Sequence, residues 1–315
     1  MTLAGGLATL AGGLAAGIAA PTSVRRGTSG PRRLTPTGRS ALNAHNYSIT
    51  FAVYNQVDYT RQCIDSMIAH GTPLDRVVVV DNASTDETRA YLETLPLGGR
   101  ILNRDNLGCG TAWNQGALHQ QAEWTVVMNN DVLVSANWIE NLIGTAIRHG
   151  LKVASPALLE GALDYDFQGL APQWSERMRE VRRDGICHAV CLVVHRSVWM
   201  EVGYFRAAPA LLGYEDTLFF AELARANIAS AIVGSSWLHH YGSITQSAMK
   251  RERGLSGKQG LGMRRNYRLL GQSWLSRKLD KMQRVRRVRD WRDSELARHG
   301  MTVHGVRKQS EFEWL

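Results

Sequence analysis

An α/β protein built on a mostly parallel sheet with helices on both faces is the architecture this 315-residue sequence predicts, and three observations predict it. From about residue 47 apolar strand-like runs alternate with amphipathic helical stretches, the pattern of strand–helix–strand units. Some of those runs, "VVVV" at 77–80 above all, are apolar at every position, as a strand covered on both faces must be. The runs also end abruptly in Asn, Asp or His, which puts polar groups at the carboxyl ends of strands, where open α/β sheets bind ligands.

Taken in order, "YSITFAVYN" reads as a strand, "VDYTRQCIDSMIAHG" as an amphipathic helix ended by Gly71, and "DRVVVVDNAS" as a second, interior strand. "STDETRAYLETL" opens with a helix-start signature in which Ser84 or Thr85 can cap the first amides and Asp86 and Glu87 suit the positive end. "GRILNRDN" is a short third strand, "CGTAWNQGALHQQA" a helix and "EWTVVMNND" a fourth strand. "SANWIENLIGTAIRHG" is a helix and "KVASPALLEG" a strand, whereas 161–186 is mixed in character and reads as loop with some helix. "CHAVCLVVHRSVWMEVGYF" is strand then helix. "GYEDTLFFAELARAN" is a helix with two carboxylates in its first turn, and "ASAIVGSSWLHHYGS" is a closing strand that ends in two histidines.

Charge divides the chain into the same parts. The formal net charge is +9, but residues 1–46 carry +5, 47–245 carry −7 and 246–315 carry +11. The acidic middle disfavours nucleic acid as a partner, while the basic ends leave that route open. The expected organisation is a disordered leader and linker over 1–46, a catalytic α/β domain over 47–245 and a basic, helical C-terminal extension over 246–315. The apolar opening lacks a basic n-region and its glycines weaken a helix, so a leader is expected there rather than a signal or anchor. In the extension Leu275, Leu279, Met282 and Val285 form a helical stripe among Arg277, Lys278, Lys281, Arg284, Arg286 and Arg287. Such a helix suits either peripheral contact with an anionic membrane or docking on its own domain. Four irregularly spaced cysteines argue against a secreted disulfide framework and for a reducing, cytoplasmic setting.

Four strand ends carry the groups that chemistry would need: Tyr54 and Asn55, Asp81 and Asn82, Asn129 to Asp131, and His239 and His240. A carboxylate and an imidazole suit a divalent cation that takes its remaining ligands from phosphate oxygens. Each motif alone has a plainer reading: Asn-Asn-Asp as a turn, "DNASTD" as a strand end plus helix cap, Asp216 as a helix-dipole partner, the histidine pair as surface. Two other chemistries fit poorly. "GCGTAW" has Trp113 where a dinucleotide fingerprint needs its third glycine, and a strand through "CHAVCLVVH" would put His188 on the face opposite Cys187 and Cys191, against a zinc site.

In this order and at these distances "SITFAVYN", "VVVVDNASTD", "NRDNLGCGTAWNQG", "VVMNNDV", "GYEDTLFF" and "HHYGS" resemble the inverting family-two glycosyltransferases with the GT-A fold. More narrowly they resemble the rhamnosyltransferase-like branch, whose metal motif often reads Asn-Asn-Asp. The resemblance spans about 47–245 and neither tail. It implies that Asp81 contacts the base or ribose of a UDP-, dTDP- or GDP-sugar, with Tyr54 and Asn55 lining that pocket and Asn106, Gly108 and Asn114 shaping the nucleotide side. Asp131 would bind Mn²⁺ or Mg²⁺, with Asn129 standing where the first acid of the family's Asp-x-Asp usually is and Asn130 between them. His239 or His240 would be a further metal ligand, and the spacing does not say which. Asp216 corresponds to the catalytic base and Glu215 to an acceptor-side residue. The implied activity is hexosyl or deoxyhexosyl transfer to a hydroxyl acceptor such as a cell-envelope glycan or a lipid-linked saccharide. Transfer to protein or modified DNA is the alternative, as is a non-catalytic protein that keeps the fold and binds membrane or nucleic acid through its basic tail.

Overall fold

A computed structural model describes residues 45–207, 215–242, 244, 270–271 and 273–315. Residues 1–44 of the leader expected over 1–46, and the whole stretch 245–269, lie outside the described residues. The α/β class is the one observed: among the described residues an 11-stranded sheet has a main path that runs through strands Glu311–Trp314 (β11), His304–Lys308 (β10), Val153–Gly161 (β6), Cys191–His195 (β8), Trp124–Met128 (β4), Tyr47–Val53 (β1), Val77–Asp81 (β2) and Gly99–Leu102 (β3), in that order.

Its parallel half forms where the sequence alternates most regularly. β1 (Tyr47–Val53) lies between β2 (Val77–Asp81) and β4 (Trp124–Met128), and β3 (Gly99–Leu102) extends the sheet from β2, all in parallel. Antiparallel pairing enters with β8 (Cys191–His195), which sits between β4 and β6 (Val153–Gly161). β9 (Ser230–His240) runs parallel to β6 and pairs antiparallel with β5 (Val132–Val134) and β7 (Arg182–Asp184).

Alternation along the strands supplies two apolar faces. Ile49, Phe51 and Val53 of β1 face one cluster with α1 (Val57–Ala69), α2 (Thr88–Glu93) and α4 (Trp138–Arg148). Val127, Leu192 and Val194 face another, with α3 (Cys109–His119), α6 (Arg196–Val202) and α7 (Glu215–Arg225). Each fully buried Ile, Val or Phe contributes about 1.5–3 kcal/mol by leaving water. Close approach of α3 to β1 depends on Gly116, where a Cβ would stand 1.7 Å from Thr50 Oγ1. That approach fixes where the N-terminus of α3 points.

A third cluster surrounds α5 (Phe167–Arg177), the helix in the stretch read as loop with some helix, and it takes in residues 312 and 314 near the end of the chain. The extension is helical over α8 (Trp274–His299), as expected, but then forms β10 (His304–Lys308) and β11 (Glu311–Trp314). β10 runs parallel to β6, and Phe312 and Trp314 pack on the third cluster, so this end of the chain is part of the sheet. Trp274, Leu275, Leu279, Met282 and Val285 on α8 are all exposed, so of the two readings of this stripe, docking on its own domain is not the one the described residues show. No helix among the described residues is long and apolar enough to cross a membrane.

Candidate active site

Register gathers the polar strand ends on one rim. Val53 pairs with Asp81, Asp81 with Leu102, and Phe51 with Met128, so the residues that follow these positions leave the sheet at the same edge. Asn55 and Gln56 both adopt the left-handed region, with φ of 52° and 60°, and turn the chain from β1 into α1. Asn55 Oδ1 accepts from the Thr85 amide at 2.7 Å, and the Asn55 amide donates to Ser84 Oγ at 2.8 Å. Ser84 and Thr85 are thereby spent on the β1 loop and do not cap α2. Asp86 takes that place, accepting from the Thr88 amide at 3.0 Å. Tyr54 lies half-buried beside Asn55.

Asp81 is fully buried and accepts from the Ser84 amide at 3.1 Å and from Arg89 Nε at 2.6 Å. Next to it, Asn82 Nδ2 donates to the Gly108 carbonyl at 3.1 Å, and Asn82 Oδ1 accepts from Asn103 Nδ2 at 2.9 Å. Asn106 Oδ1 accepts from the Gly108 amide at 3.0 Å. These contacts pin Gly108, whose φ of 86° suits glycine, at the start of α3. Asn114 does not face this rim: its amide donates to the Phe205 carbonyl at 2.7 Å and accepts from the Phe205 amide at 3.0 Å.

The end of β4 sends its polar residues in different directions. Asn129 is half-buried and its amide donates to the Val190 carbonyl at 2.9 Å. Asn130 is buried and donates from Nδ2 to Thr60 Oγ1 at 2.9 Å, into α1. Asp131 is buried, accepts from the Ile244 amide at 3.1 Å on Oδ2, and presents Oδ1 at 3.3 Å from His240 Nε2. The alternation of β9 separates the two histidines. His239 turns away from Asp131: its Nδ1 lies 2.8 Å from the Tyr165 hydroxyl and its ring packs on Tyr165, Phe167 and Tyr241. His239 therefore does not meet Asp131, whereas His240 does.

His240 Nε2 is buried without a hydrogen-bond partner while Nδ1 lies 3.0 Å from Glu160 Oε1. Burial opposes its protonation, but Asp131 and Glu160 outweigh that and raise its pKa to about 9. An imidazole nitrogen and a carboxylate oxygen this close require a positive charge between them, a proton or a cation. The donor set fits a divalent cation, with the second ring nitrogen held by an outer carboxylate as metal-binding histidines usually are. Among the described residues no group of three or more His, Cys, Asp or Glu could hold a metal, so these two would leave the rest of a coordination shell to ligand or solvent.

α7 delivers the remaining carboxylates. Glu215 is buried against the first turn of α3, where a Cβ on Gly110 would meet its Cγ at 2.8 Å. Asp216 is less buried, and its Oδ1 accepts from the Thr217 amide at 2.6 Å. Burial raises the Asp216 pKa above its ordinary value. At the first residue of α3, burial first, and then the charges of Glu215, Asp216 and Asp131, raise the pKa of the Cys109 thiol well above normal. The charges of Asp131, Asp216 and Glu215 are thus all felt at the first residue of α3.

The sequence profile of Glycosyl transferase family 2 matches residues 48–206, half of the chain. The chain belongs to glycosyl transferase family 2. Its family relatives include an uncharacterised glycosyltransferase of Rickettsia felis, 23% identical over 212 residues, covering 61% of this chain and 34% of that protein. The succinoglycan biosynthesis protein ExoO of Rhizobium meliloti is 32% identical over 120 residues, covering 37% of this chain and 34% of that one. The family chain described here thus spans about a third of the length of these curated relatives. Among solved structures, the mannosyltransferase PcManGT from Pyrobaculum calidifontis with GDP-Man and Mn²⁺ has a TM-score of 0.49 at 18% identity, covering 67% and 62% of the two chains. That likeness is loose, and the sheet of this family member stands on its own strand pairing.

Residues that the sequence reading missed are Glu160, Arg89 and His304. Glu160 closes an apolar run, the same signal that singled out Asp131, and was legible. His304 was not, because its neighbours read as tail.

The buried histidines set a pH window for folding of the metal-free protein. His188, whose Nε2 lies 2.8 Å from the Pro156 carbonyl, and His239 both have pKa values lowered to about 4, chiefly by burial. Below about 6.5 the unfolded histidines take up protons that these two refuse, so stability falls as pH drops from about 6.5 to 4, by on the order of 3 kcal/mol for each. His240 acts in the opposite sense: its contribution is complete below about 6.5 and is lost as pH rises through about 9. Urea midpoints between pH 4 and 9 should peak near neutrality; a flat acid limb would contradict this.

Proposed function

We propose that this family member is a GT-A, metal-dependent, inverting glycosyltransferase that moves a hexosyl or deoxyhexosyl group from a UDP-, dTDP- or GDP-sugar to a hydroxyl. The observation that carries the proposal is the convergence of Asp131 with His240 at 3.3 Å, together with Glu215 packed against the first turn of α3 and Asp216 next to it at the start of α7. Asp81 would contact the base or ribose, with Tyr54 and Asn55 along that pocket. Asn106 and Gly108 would shape its phosphate side. Asp131 and His240 would hold Mn²⁺ or Mg²⁺, with Asn129 in place of a first acid. A cation bound there would neutralise charge on the departing diphosphate.

Asp216 would act as general base. As the acceptor oxygen bonds to the anomeric carbon, the bond to the diphosphate breaks on the opposite face and the acceptor proton passes to Asp216. One displacement inverts the anomeric centre, and no enzyme nucleophile is used. The raised pKa of Asp216 brings it nearer working pH, which favours a base. Glu215, buried beside Gly110, would back this carboxylate on the acceptor side.

A cell-envelope or lipid-linked glycan suits the acceptor role, and the biosynthetic name of the Rhizobium meliloti relative supports that class. So does α8, whose exposed Trp274, Leu275, Leu279, Met282 and Val285 stand among Lys278, Lys281, Arg284 and Arg286. That helix would lie on an anionic bilayer at the cytoplasmic surface. Sedimentation with phosphatidylglycerol vesicles but not phosphatidylcholine vesicles, lost in Leu279→Glu/Met282→Glu, is the expected result; equal sedimentation with both would count against it. The function itself is tested by incubating the protein with Mn²⁺ and a panel of UDP-, dTDP- and GDP-sugars. Thermal stabilisation and slow hydrolysis of one donor class are expected, and no response to any nucleotide would overturn the reading.

A further inference from the structure

We infer that Glu160 and His304 are positioning residues for the cation site, and that the last strands of the chain complete it by holding His240 in one tautomer. The inference rests on the proposed role of Asp131 and His240 as cation ligands.

β6 carries Glu160 at its end, between β9 and β10. Glu160 pairs in register with His240 on one side, and His304 pairs with Leu158 on the other. The carboxylate joins the two imidazoles: Oε1 is 3.0 Å from His240 Nδ1 and Oε2 is 2.9 Å from His304 Nε2. A carboxylate accepts, so His240 donates from Nδ1 and His304 from Nε2. With the Nδ1 proton committed to Glu160, the lone pair of a neutral His240 lies on Nε2, the atom 3.3 Å from Asp131 Oδ1. Without Glu160 the other tautomer becomes accessible, and it would aim an N–H at the place where a cation needs a lone pair. His304 occupies the second oxygen of Glu160 and so fixes which way the carboxylate faces.

His304 is itself held firmly. Its amide donates to Thr302 Oγ1 at 3.2 Å, and its carbonyl accepts from the Leu315 amide at 2.8 Å. A buried bidentate pair, Arg183 with Glu295 at 2.8 Å for both bonds, anchors α8 to β7. The same Glu295 accepts from the Val303 amide at 3.0 Å, and Arg183 also donates to the Leu315 carbonyl at 2.9 Å. A continuous set of contacts therefore runs from α8 and the chain end through His304 and Glu160 to His240.

The test uses the full chain and Mn²⁺ binding read by electron paramagnetic resonance with a fixed excess of UDP, dTDP or GDP. Glu160→Ala should raise the Mn²⁺ dissociation constant about 10–100-fold. His304→Ala should raise it by less. Glu160→Gln should restore most of the affinity, because an amide oxygen still accepts from His240 Nδ1. Donor hydrolysis at saturating Mn²⁺ should stay within a few-fold of wild type in all three, which a general loss of structure would not allow. If Glu160→Ala does not fold, His304→Ala carries the same comparison from the sheet edge. Wild-type affinity in the folded alanine variants, whatever their melting temperatures, would overturn the positioning role alone. A wild-type protein that binds no Mn²⁺ with any of the three nucleotides would overturn the transferase reading and this inference together.

Discussion

Asp216→Asn is expected to lower the rate of glycosyl transfer by about 10²–10⁴-fold while leaving donor affinity within two- to three-fold of wild type. Asparagine keeps the shape of the side chain, and its oxygen can still accept from the Thr217 amide, so the start of α7 should survive. What it loses is the ability to take the acceptor proton. Glu215 cannot substitute, because its side chain is buried against Gly110 and Gly108 on α3. Steady-state kinetics with the donor found in the panel would read the effect as a fall in kcat at constant donor KM. Unchanged turnover would remove Asp216 as the base.

Asp131→Asn is expected to abolish the strengthening of nucleotide binding by Mn²⁺, a loss of more than about 100-fold, beyond what outer-shell substitutions cost. The reason lies in the sequence of this strand end. Asn129 and Asn130 carry no charge, and Asn130 is turned into α1, so Asp131 is the one carboxylate that "NND" can offer a cation. Removing its charge leaves His240 Nε2, among the described residues, facing a neutral amide. Titration calorimetry of UDP, dTDP and GDP, with and without Mn²⁺, separates the two terms: metal-free affinity should persist and the metal-dependent increment should vanish. A variant that keeps the full increment would show that the cation is held elsewhere.

Much of this was legible before any tertiary structure. The strand–helix alternation of 47–240 needs only local periodicity, and β1, β2, β4 and β9 fall where the apolar runs are. Polar strand ends identified Asp81, Asp131 and the histidine pair for the same reason. Other features were illegible for reasons of distance and register. The amides of Asn114 and Asn130 look available in sequence, yet each is consumed by a partner on another element. β10 and β11 are short, charged and without a continuous apolar run, so nothing local marked them as sheet.

The sequence by itself determined the α/β class, the order of elements over 47–240, and the short set of carboxylates and histidines from which a site could be built. These follow from periodicity and residue chemistry, which are properties of neighbours along the chain. Only the tertiary structure decided that His240 and not His239 meets Asp131, because that depends on which face of β9 turns toward β5. It alone joined Glu160 to His240 and to His304, residues 80 and 144 positions apart. It alone left the apolar stripe of α8 uncovered. Pairing between remote strands is set by how the whole sheet packs, and no local window of sequence contains that information.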